Sequence, residues 1–441
     1  LRLADKEAGD VVVRVNLLNR ILTAIARVLI DDHEEKKNSK KLFDQRPYLR
    51  LLSELMVDLG TNDPKTQEPS PNAVPLLTVY NQLFMLLAPG SVPGFAFAWL
   101  QLISSKHFMP QLLAVKDEKG WPYLHRLLLS LLVFLQRFLK GVQMTDAIRK
   151  LYKGTLRVLL VLLHDFPEFL CDYQLSLCDV IPHTCVQLRN LVLSAFPRSM
   201  RLPDPFTQNL KVSSLPEISQ PPRMLPDYAS ALGGTVRQRL DTYLTTKQPV
   251  EFPSLLPQIL ATPGPNGIEY NIPIMNLLAV YIGTQAVRQM QGTAKDKINA
   301  ALKDSPGLTI FNHLLSVLDI EGRYLLLNSM ANQLRYPNNL THYFSSVMLL
   351  IFSQSNSEYL QEQVTRVLLE RLIVHRPHPW GLLITFIELI KNPEYAFWRR
   401  GFTKFAPEIE KVFESVARLC LGTQGKPDGA AAGAIESNGK D

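Results

Sequence analysis

Cysteine is scarce in this chain, with four residues in 441 and no CxxC pair among them. Structural zinc sites are usually built on such pairs, so the sequence argues against one. Cys171 and Cys178 are seven residues apart, which places both on one helix face, where free cysteine usually packs as a small hydrophobic side chain. Because scarce cysteine is typical of a reducing compartment, we expect an intracellular protein.

Long apolar runs are missing as well. The longest, Leu127–Leu135, is interrupted by Ser130 and is far shorter than the roughly 18 residues that a membrane span needs. The first residues, LRLADKEAGDVV, lack the basic segment and apolar core of a signal peptide. These absences predict a soluble protein with no membrane partner.

The motifs of common catalytic sites are also absent. The sequence has no GxxxxGK[ST] phosphate loop, no GxSxG turn and no HExxH zinc motif. Its acidic residues are scattered along helix surfaces, whereas a two-metal nuclease needs several carboxylates that converge. We therefore predict that the protein is not an enzyme and binds no cofactor. The alternative is a hidden hydrolytic site, for which an unpaired Glu388 in an apolar helix is the one candidate residue.

His375 and His378 are the residues that most resemble a pair of metal ligands. They are three positions apart, but prolines at 377 and 379 impose an irregular turn and no third ligand is evident. The sequence therefore favours histidines that bind free carbonyls at a helix end, and no metal.

Helical spacing is what the chain has in abundance. Leucines recur at steps of three and four residues from Leu124 to Leu135, and the same period predicts helices over Thr145–His164 and Asn271–Met290. From Glu362 to Phe405, two dense apolar helices flank the turn Arg376–Pro379. Strand patterns are nearly absent. The predicted fold class is all-α, with HEAT-like stacked antiparallel helical hairpins in two lobes.

The first helix of that pair is apolar on two sides, which is typical of a helix between two neighbours. Arg366, Glu370 and Arg371 must then find partners, because an unpaired buried charge is costly.

Seven prolines between Pro197 and Pro226 separate the two lobes. Apolar anchors such as Phe206, Val212 and Ile218 indicate an extended segment that is mostly ordered, because a flexible linker usually lacks them. The predicted organisation is an N-terminal helical lobe (1–196), this crossing segment (197–228), a C-terminal HEAT-like lobe (229–421) and a mobile tail rich in glycine and alanine (422–441).

Two helix faces are candidates for partner binding. Tyr324, Asn328 and Arg335 share one column, which Tyr336, His342 and Tyr343 extend beyond the helix. Such a column can bind a peptide backbone and cover apolar side chains. The alternative is a satisfied buried polar network.

The second candidate face belongs to the helix that contains Tyr281, Gln285 and Arg288. Leu277 flanks this face, which could line a groove for an amphipathic helix. Core packing is the alternative for the leucines.

Basic residues raise a further alternative, a helical-repeat module that binds RNA directly. Arg198, Arg201 and Arg223 lie among aromatic and apolar residues, a combination that single-stranded RNA sites use. They occur singly, without the regular positions of a base-reading repeat. The formal net charge of +7 permits weak attraction to RNA or acidic peptides without requiring either.

Four long blocks resemble the C-terminal homology domain of the Not-family scaffold, the largest subunit of the eukaryotic CCR–NOT mRNA deadenylase complex. They are Leu162–Tyr173, Gln187–Val212, Gly322–Ser345 and Leu368–Trp398, and the resemblance extends from about Leu160 to Leu419.

The resemblance implies a non-catalytic scaffold, because in that family the nuclease subunits attach elsewhere. It implies docking of the Not-box subunits, of the tail of the Not-four ubiquitin ligase and of short Nanos-like repressor motifs. The implied role supports mRNA deadenylation, decay and translational repression, in the cytoplasm and with the nucleus as a second location.

Overall fold

Helices form nearly all of the regular structure in the computed structural model. It describes residues 9–58, 73–141, 144–207, 210–264, 267–291, 298–404, 410–411, 413–416 and 418. The chain divides into two units, Leu1–Val192 and Leu193–Asp441. The predicted tail, 422–441, lies outside the described residues, and the three predicted domain boundaries stay predictions.

Nine helices of the described residues begin in the first unit. They are α1 (Gly9–Asn38), α2 (Arg46–Asp58), α3 (Ala73–Leu86), α4 (Ala96–Ile103), α5 (Met109–Leu113), α6 (Trp121–Leu139), α7 (Asp146–Asp165), α8 (Pro167–Val180) and α9 (Val186–Leu193). Helix α6 packs against α3, α5 and α8. Its leucines at three- and four-residue steps are buried, as their spacing predicts.

The second unit continues with nine helices and one short hairpin among the described residues. The helices are α10 (Gly234–Thr246), α11 (Phe252–Leu260), α12 (Ile272–Gln289), α13 (Ile298–Lys303), α14 (Pro306–Val317), α15 (Ile320–Ala331), α16 (Asn339–Gln354), α17 (Glu358–Leu369) and α18 (Trp380–Lys391). In this unit α12 packs against α15 and α16, α15 against α17, and α16 against α18. The predicted all-α, HEAT-like fold is confirmed.

Capping side chains explain where several of these helices begin. The side chains of Thr145, Asn271, Ser305, Asp319 and Asn338 each accept a hydrogen bond from a backbone N–H in the first turn of the helix that follows. Such caps satisfy N–H groups that have no partner within the helix.

Two local features differ from the expectation of helices alone. Strands β1 (Ala261–Gly264) and β2 (Gly267–Tyr270) pair as an antiparallel hairpin. They are too short for their alternation to stand out in the sequence. Helix α17 ends at Leu369, before Leu372 and Ile373, which we expected to continue it. None of the described helices is both long and apolar enough to span a membrane.

The proline-rich segment belongs to the second unit and is joined to the rest of it by hydrogen bonds as well as by apolar anchors. The Trp380 indole donates to the Pro203 carbonyl at 2.8 Å, and the Asn339 N–H donates to the Gln220 carbonyl at 2.9 Å. The Arg223 N–H donates to the Tyr336 hydroxyl at 2.7 Å. The anchor Phe206 is 37% exposed, so apolar burial there is partial.

Candidate partner-binding site

The predicted column lies mostly inside the second unit, and only Tyr324 and Asn328 belong to α15, because the helix ends at Ala331, before Arg335. Asn328 is 4% exposed and Arg335 is 2% exposed, whereas Tyr324 is half-buried. The reason is that α12 and α17 pack on both sides of α15. The expectation that this column is exposed is therefore wrong. The structure shows instead the buried polar network that we kept as the alternative.

Arg371 is the centre of that network. Its side chain is 1% exposed and donates to the Asn328 side-chain oxygen at 2.7 Å, to the Asn328 carbonyl at 3.2 Å and to the Asn332 side-chain oxygen at 2.8 Å. The Asn332 amide donates in turn to the Asn276 side-chain oxygen at 3.3 Å. These bonds connect α12, α15 and the segment after α17, so they select one register for three neighbouring elements.

Glu370 and Tyr324 form the outer end of the network. The Tyr324 hydroxyl donates to the Glu370 carboxylate, and Arg366 lies 5.3 Å from the centre of the Tyr324 ring. Burial, followed by the hydrogen bond and charge of Glu370, raises the pKa of Tyr324 to about 12. Burial also raises the pKa of Glu370, although Tyr324, Arg371 and Arg366 oppose that shift. Glu370 and Arg371 have the partners that we predicted for buried charges, whereas Arg366 is not buried: its side chain is 70% exposed and lies 4.0 Å from the Glu370 carboxylate.

The turn between α15 and α16 is held by polar side chains. The Thr341 hydroxyl contacts the Gln333 and Tyr336 carbonyls at 2.9 Å each, and the Asn338 amide donates to the Tyr336 carbonyl at 2.7 Å. Arg335 lies 5.1 Å from the centre of the Tyr336 ring. Tyr336 and Tyr343 are 4% and 3% exposed, so the extension of the column is buried as well, except for the half-buried His342.

A small depression lies where the proline-rich segment meets this turn. Val212 and Ile218 from the segment line it, together with His342, Trp380 and Ile384. Desolvation by burial lowers the pKa of His342. The depression is therefore a small, mostly apolar contact site within the second unit.

The α12 face is also mostly internal. Tyr281 is 2% exposed, donates to Asp241 at 2.5 Å and accepts from the Arg237 guanidinium at 3.2 Å. Burial is the largest cause of the raised pKa of Tyr281. Leu277 is 4% exposed, in agreement with the core alternative that we kept for the leucines.

Gln285 is half-buried and Arg288 is exposed, so only the end of the α12 face reaches the surface. Whether any of the ten candidate residues contacts a partner stays a prediction.

Most of the residues considered for chemistry have structural partners. His378 contacts the Val374 carbonyl at 2.9 Å, so a carbonyl contact is found for His378, although Val374 lies after the end of α17 at Leu369; His375 is exposed. Glu388 is exposed and accepts from Asn392 at 2.9 Å, so the expectation of an unpaired Glu388 is wrong. Cys171 and Cys178 are buried, as their spacing predicts. Within the described ranges, no cluster of three or more His, Cys, Asp or Glu side chains could hold a metal ion.

An exposed apolar surface lies beside the network and was missed from the sequence. Ile320 at the start of α15 is 71% exposed and Tyr359 at the start of α17 is 79% exposed. Gln363 of α17 donates to the Ile320 carbonyl at 2.9 Å, which joins the two helices there. We call Ile320, Tyr324, Tyr359 and Arg366 the α15/α17 face. Its sequence signal is weak, because single apolar residues at helix starts are common on any surface.

Comparison with known proteins identifies relatives of this chain. The family described as CCR4-Not complex component, Not1, matches residues 61–417. The CCR4-NOT transcription complex subunit let-711 of Caenorhabditis elegans is 44% identical over 444 residues, which include 98% of this chain. The chain spans 17% of the length of that relative.

Two solved structures share the fold. The NOT1 superfamily homology domain from Chaetomium thermophilum superimposes with a TM-score of 0.81 at 27% identity, covering 95% of this chain and 82% of that one. A structure described as the Not1 C-terminal domain in complex with Not4 superimposes with a TM-score of 0.75 at 26% identity, covering 91% and 82%.

Proposed function

Because the chain belongs to the Not1 family of CCR4-Not complex components, we propose that it is a non-catalytic scaffold domain that docks other proteins of that complex. The observation that carries the proposal is its similarity to the Not1 C-terminal domain that was solved in complex with Not4. Stacked helices with an apolar core and a buried polar network around Arg371 supply the rigid surface that docking requires.

The proposed partners are the Not-box subunits, the tail of a Not-four ubiquitin ligase and short repressor motifs of the Nanos kind. Through them the domain supports mRNA deadenylation, decay and translational repression, in the cytoplasm and with the nucleus as a second location. Direct RNA binding stays the alternative. Arg198 and Arg201 are exposed, whereas Arg223 is half-buried.

We propose the α15/α17 face as the docking site of the Not-four tail. Ile320 and Tyr359 supply exposed apolar area, and Arg366 supplies a cation that is 70% exposed. Beneath them, Glu370 holds the Tyr324 hydroxyl, and Arg371 ties Asn328 to Asn332. The buried candidate residues thus act by keeping this face rigid, which lowers the entropy lost on binding.

Titration calorimetry with a peptide of the Not-four tail tests this docking site. The Ile320→Asp variant places a charge where an apolar contact is expected, so the Kd should rise by at least about tenfold. Val250→Asp is the matched control, because Val250 is 67% exposed on a turn far along the chain from α15. Equal affinity of the Ile320→Asp variant and the unmodified protein would contradict the assigned face.

Co-migration with the N-terminal extensions of the Not-box subunits on a sizing column tests the wider scaffold proposal. A stable complex at micromolar concentration is the expected result. Separate elution of the two proteins would remove the Not-box assignment.

A further inference from the structure

Positive charge is concentrated in one stretch of the first unit. From Arg126 to Arg157 the chain has seven Lys/Arg and one Asp, a net charge of +6 compared with +7 for all 441 residues. The modest total charge therefore hides one strongly basic region, which includes most of α6 and the first half of α7. A field of one sign raises the local concentration of a partner of the opposite sign.

One side of α7 presents this charge together with apolar groups. At about 100° per residue, six exposed residues fall within roughly a third of the helix circumference. They are Arg149, Lys150, Lys153, Arg157, Leu160 and Val161, and we call them the α7 face. Leu160 is 46% exposed and Val161 is 41% exposed, whereas Leu151, Val158 and Leu162 on the other side are buried. Basic residues thus occupy the first half of the face, and apolar residues occupy the second.

The cations of the α7 face are mostly available to a partner. Arg149 binds Asp146 at 2.8 Å, but Lys150, Lys153 and Arg157 make no ion pair with another described residue. Without an intramolecular carboxylate to displace, these three side chains can meet an incoming acidic group without first breaking a salt bridge. The sequence analysis did not single them out, because a charge run alone usually marks a solvated face.

The end of α6 adds to the same region. Arg137 and Lys140 are exposed, and Phe138 is 40% exposed. Five residues separate Lys140 at the end of α6 from Asp146 at the start of α7. Even a fully extended connection of that length keeps the two helix ends within roughly 20 Å. A single ligand of about four helical turns can therefore reach both groups.

We infer that the α7 face binds an acidic amphipathic helix of a partner protein. The partner's Asp and Glu side chains would meet Lys150, Lys153 and Arg157, and its leucine or phenylalanine side chains would cover Leu160 and Val161. The distance from Arg149 to Val161 along α7 is about 18 Å, which matches a partner helix of about 12 residues. Apolar contact supplies affinity, and the charges supply orientation and a fast association rate.

The observations favour a peptide over a single strand of RNA. Sites for single strands combine a basic groove with exposed aromatic rings on which the bases stack. The apolar groups of the α7 face are aliphatic, and the ring of the neighbouring Phe138 already lies edge-on to Phe134, with centroids 5.2 Å apart. Aliphatic side chains offer contact area to leucine or phenylalanine but no stacking surface to a base.

Fluorescence anisotropy with the full chain tests the inference. The probe is a labelled synthetic peptide of about 16 residues, built from glutamate, alanine and leucine, with leucine at three- and four-residue steps. A second peptide has the same composition in scrambled order, and a third ligand is a single-stranded oligo(U). The amphipathic peptide should bind, and both the scrambled peptide and oligo(U) should bind at least about tenfold more weakly.

Two double variants separate the contributions of charge and apolar contact. Lys153→Glu with Arg157→Glu should weaken binding of the amphipathic peptide by about tenfold or more, and Leu160→Ser with Val161→Ser should weaken it by a similar factor. Lys211→Glu with Arg239→Glu, a charge reversal at exposed positions of the second unit, is the matched control and should leave the affinity unchanged. Thermal unfolding of each variant verifies that it is folded.

Three outcomes would overturn the inference: equal binding of the scrambled peptide, tighter binding of oligo(U), or an unchanged affinity after Leu160→Ser with Val161→Ser. The α7 face belongs to the first unit and the α15/α17 face to the second, and the two assays use different ligands. Failure of one proposal can therefore be distinguished from failure of the other.

Discussion

Arg371 in the second unit and Arg157 in the first unit show how differently one residue type is used. Arg371 is 1% exposed and donates to three oxygens of Asn328 and Asn332. Arg157 is exposed on α7 and binds no carboxylate of the described residues. The comparison teaches that an arginine can belong to an internal polar network, as Arg371 does, or to an exposed basic helix face, as Arg157 does.

Removing each arginine is the strongest way to break this comparison. Arg371→Ala leaves the oxygens of Asn328 and Asn332 buried without their donor, so the free energy of unfolding should fall by about 3–5 kcal/mol. Arg157→Ala, the control in the first unit, should change it by less than about 0.5 kcal/mol. Urea denaturation followed by circular dichroism measures both values. Similar losses in the two variants would contradict the distinction.

Adding a methyl group at two glycines tests packing density in the same two units. A Cβ at Gly381 would lie 2.4 Å from Thr341 Cγ2 and 2.9 Å from the Arg335 carbonyl oxygen, beside the turn that the network holds. The backbone at Arg335 cannot shift freely to make room for the added methyl group. Gly381→Ala should therefore lower the free energy of unfolding by about 2–3 kcal/mol. A Cβ at Gly90 in the first unit would meet no atom within 4 Å, so Gly90→Ala is the control and should be nearly neutral. An equally stable Gly381→Ala variant would show that the turn is looser than described.

Two half-buried titratable groups, His125 and Glu370, should give the units opposite responses to pH. In the first unit, burial, helped by the charge of Arg126, lowers the pKa of His125 to about 4, and its imidazole contacts the Ser176 hydroxyl at 2.8 Å. The unfolded state then binds more protons, so this stabilisation is lost as pH falls from about 6.5 to about 4. In the second unit, the raised pKa of Glu370 stabilises the fold at low pH, and this contribution is lost as pH rises through the folded pKa.

Thermal unfolding between pH 4 and 7 measures both contributions. His125→Gln should reduce the loss of stability on acidification, by on the order of 2 kcal/mol, and Glu370→Gln should reduce the loss on raising the pH. His164→Gln is the control, because the His164 side chain is 88% exposed. If His125→Gln and His164→Gln respond alike, the depressed pKa of His125 is not a property of the folded state.

Much of the fold could be predicted from local patterns. The predicted helix over Thr145–His164 is α7, Asp146–Asp165, and the predicted helix over Asn271–Met290 is α12, Ile272–Gln289. Both succeed because a strong helical period is combined with a capping side chain at the start. The predicted end of α17 was wrong. The helix ends at Leu369, but Leu372 and Ile373 continue its apolar period in the sequence.

The candidate site was only partly predictable. Tyr324 and Asn328 lie one turn apart on α15 as predicted, but α15 ends at Ala331, so the placement of Arg335 on the same helix face was wrong. Spacing alone also does not show what packs against a helix face. Arg371 was singled out as a charge in need of partners, whereas its acceptors Asn328 and Asn332 lie about 40 residues away in sequence. No sequence signal distinguishes the exposed Ile320 and Tyr359 from apolar residues of the core.

The sequence by itself determined the helical class, the helix starts and the need of certain charges for partners, because these depend on period, caps and desolvation within one segment. Only the tertiary structure decided which polar column is buried and which basic face stays exposed. Burial depends on the neighbouring helices, α12 and α17 beside α15 for the column, and these come from distant parts of the chain. Polar and charged residues at helical spacing therefore form a buried network in one case and an exposed face in the other.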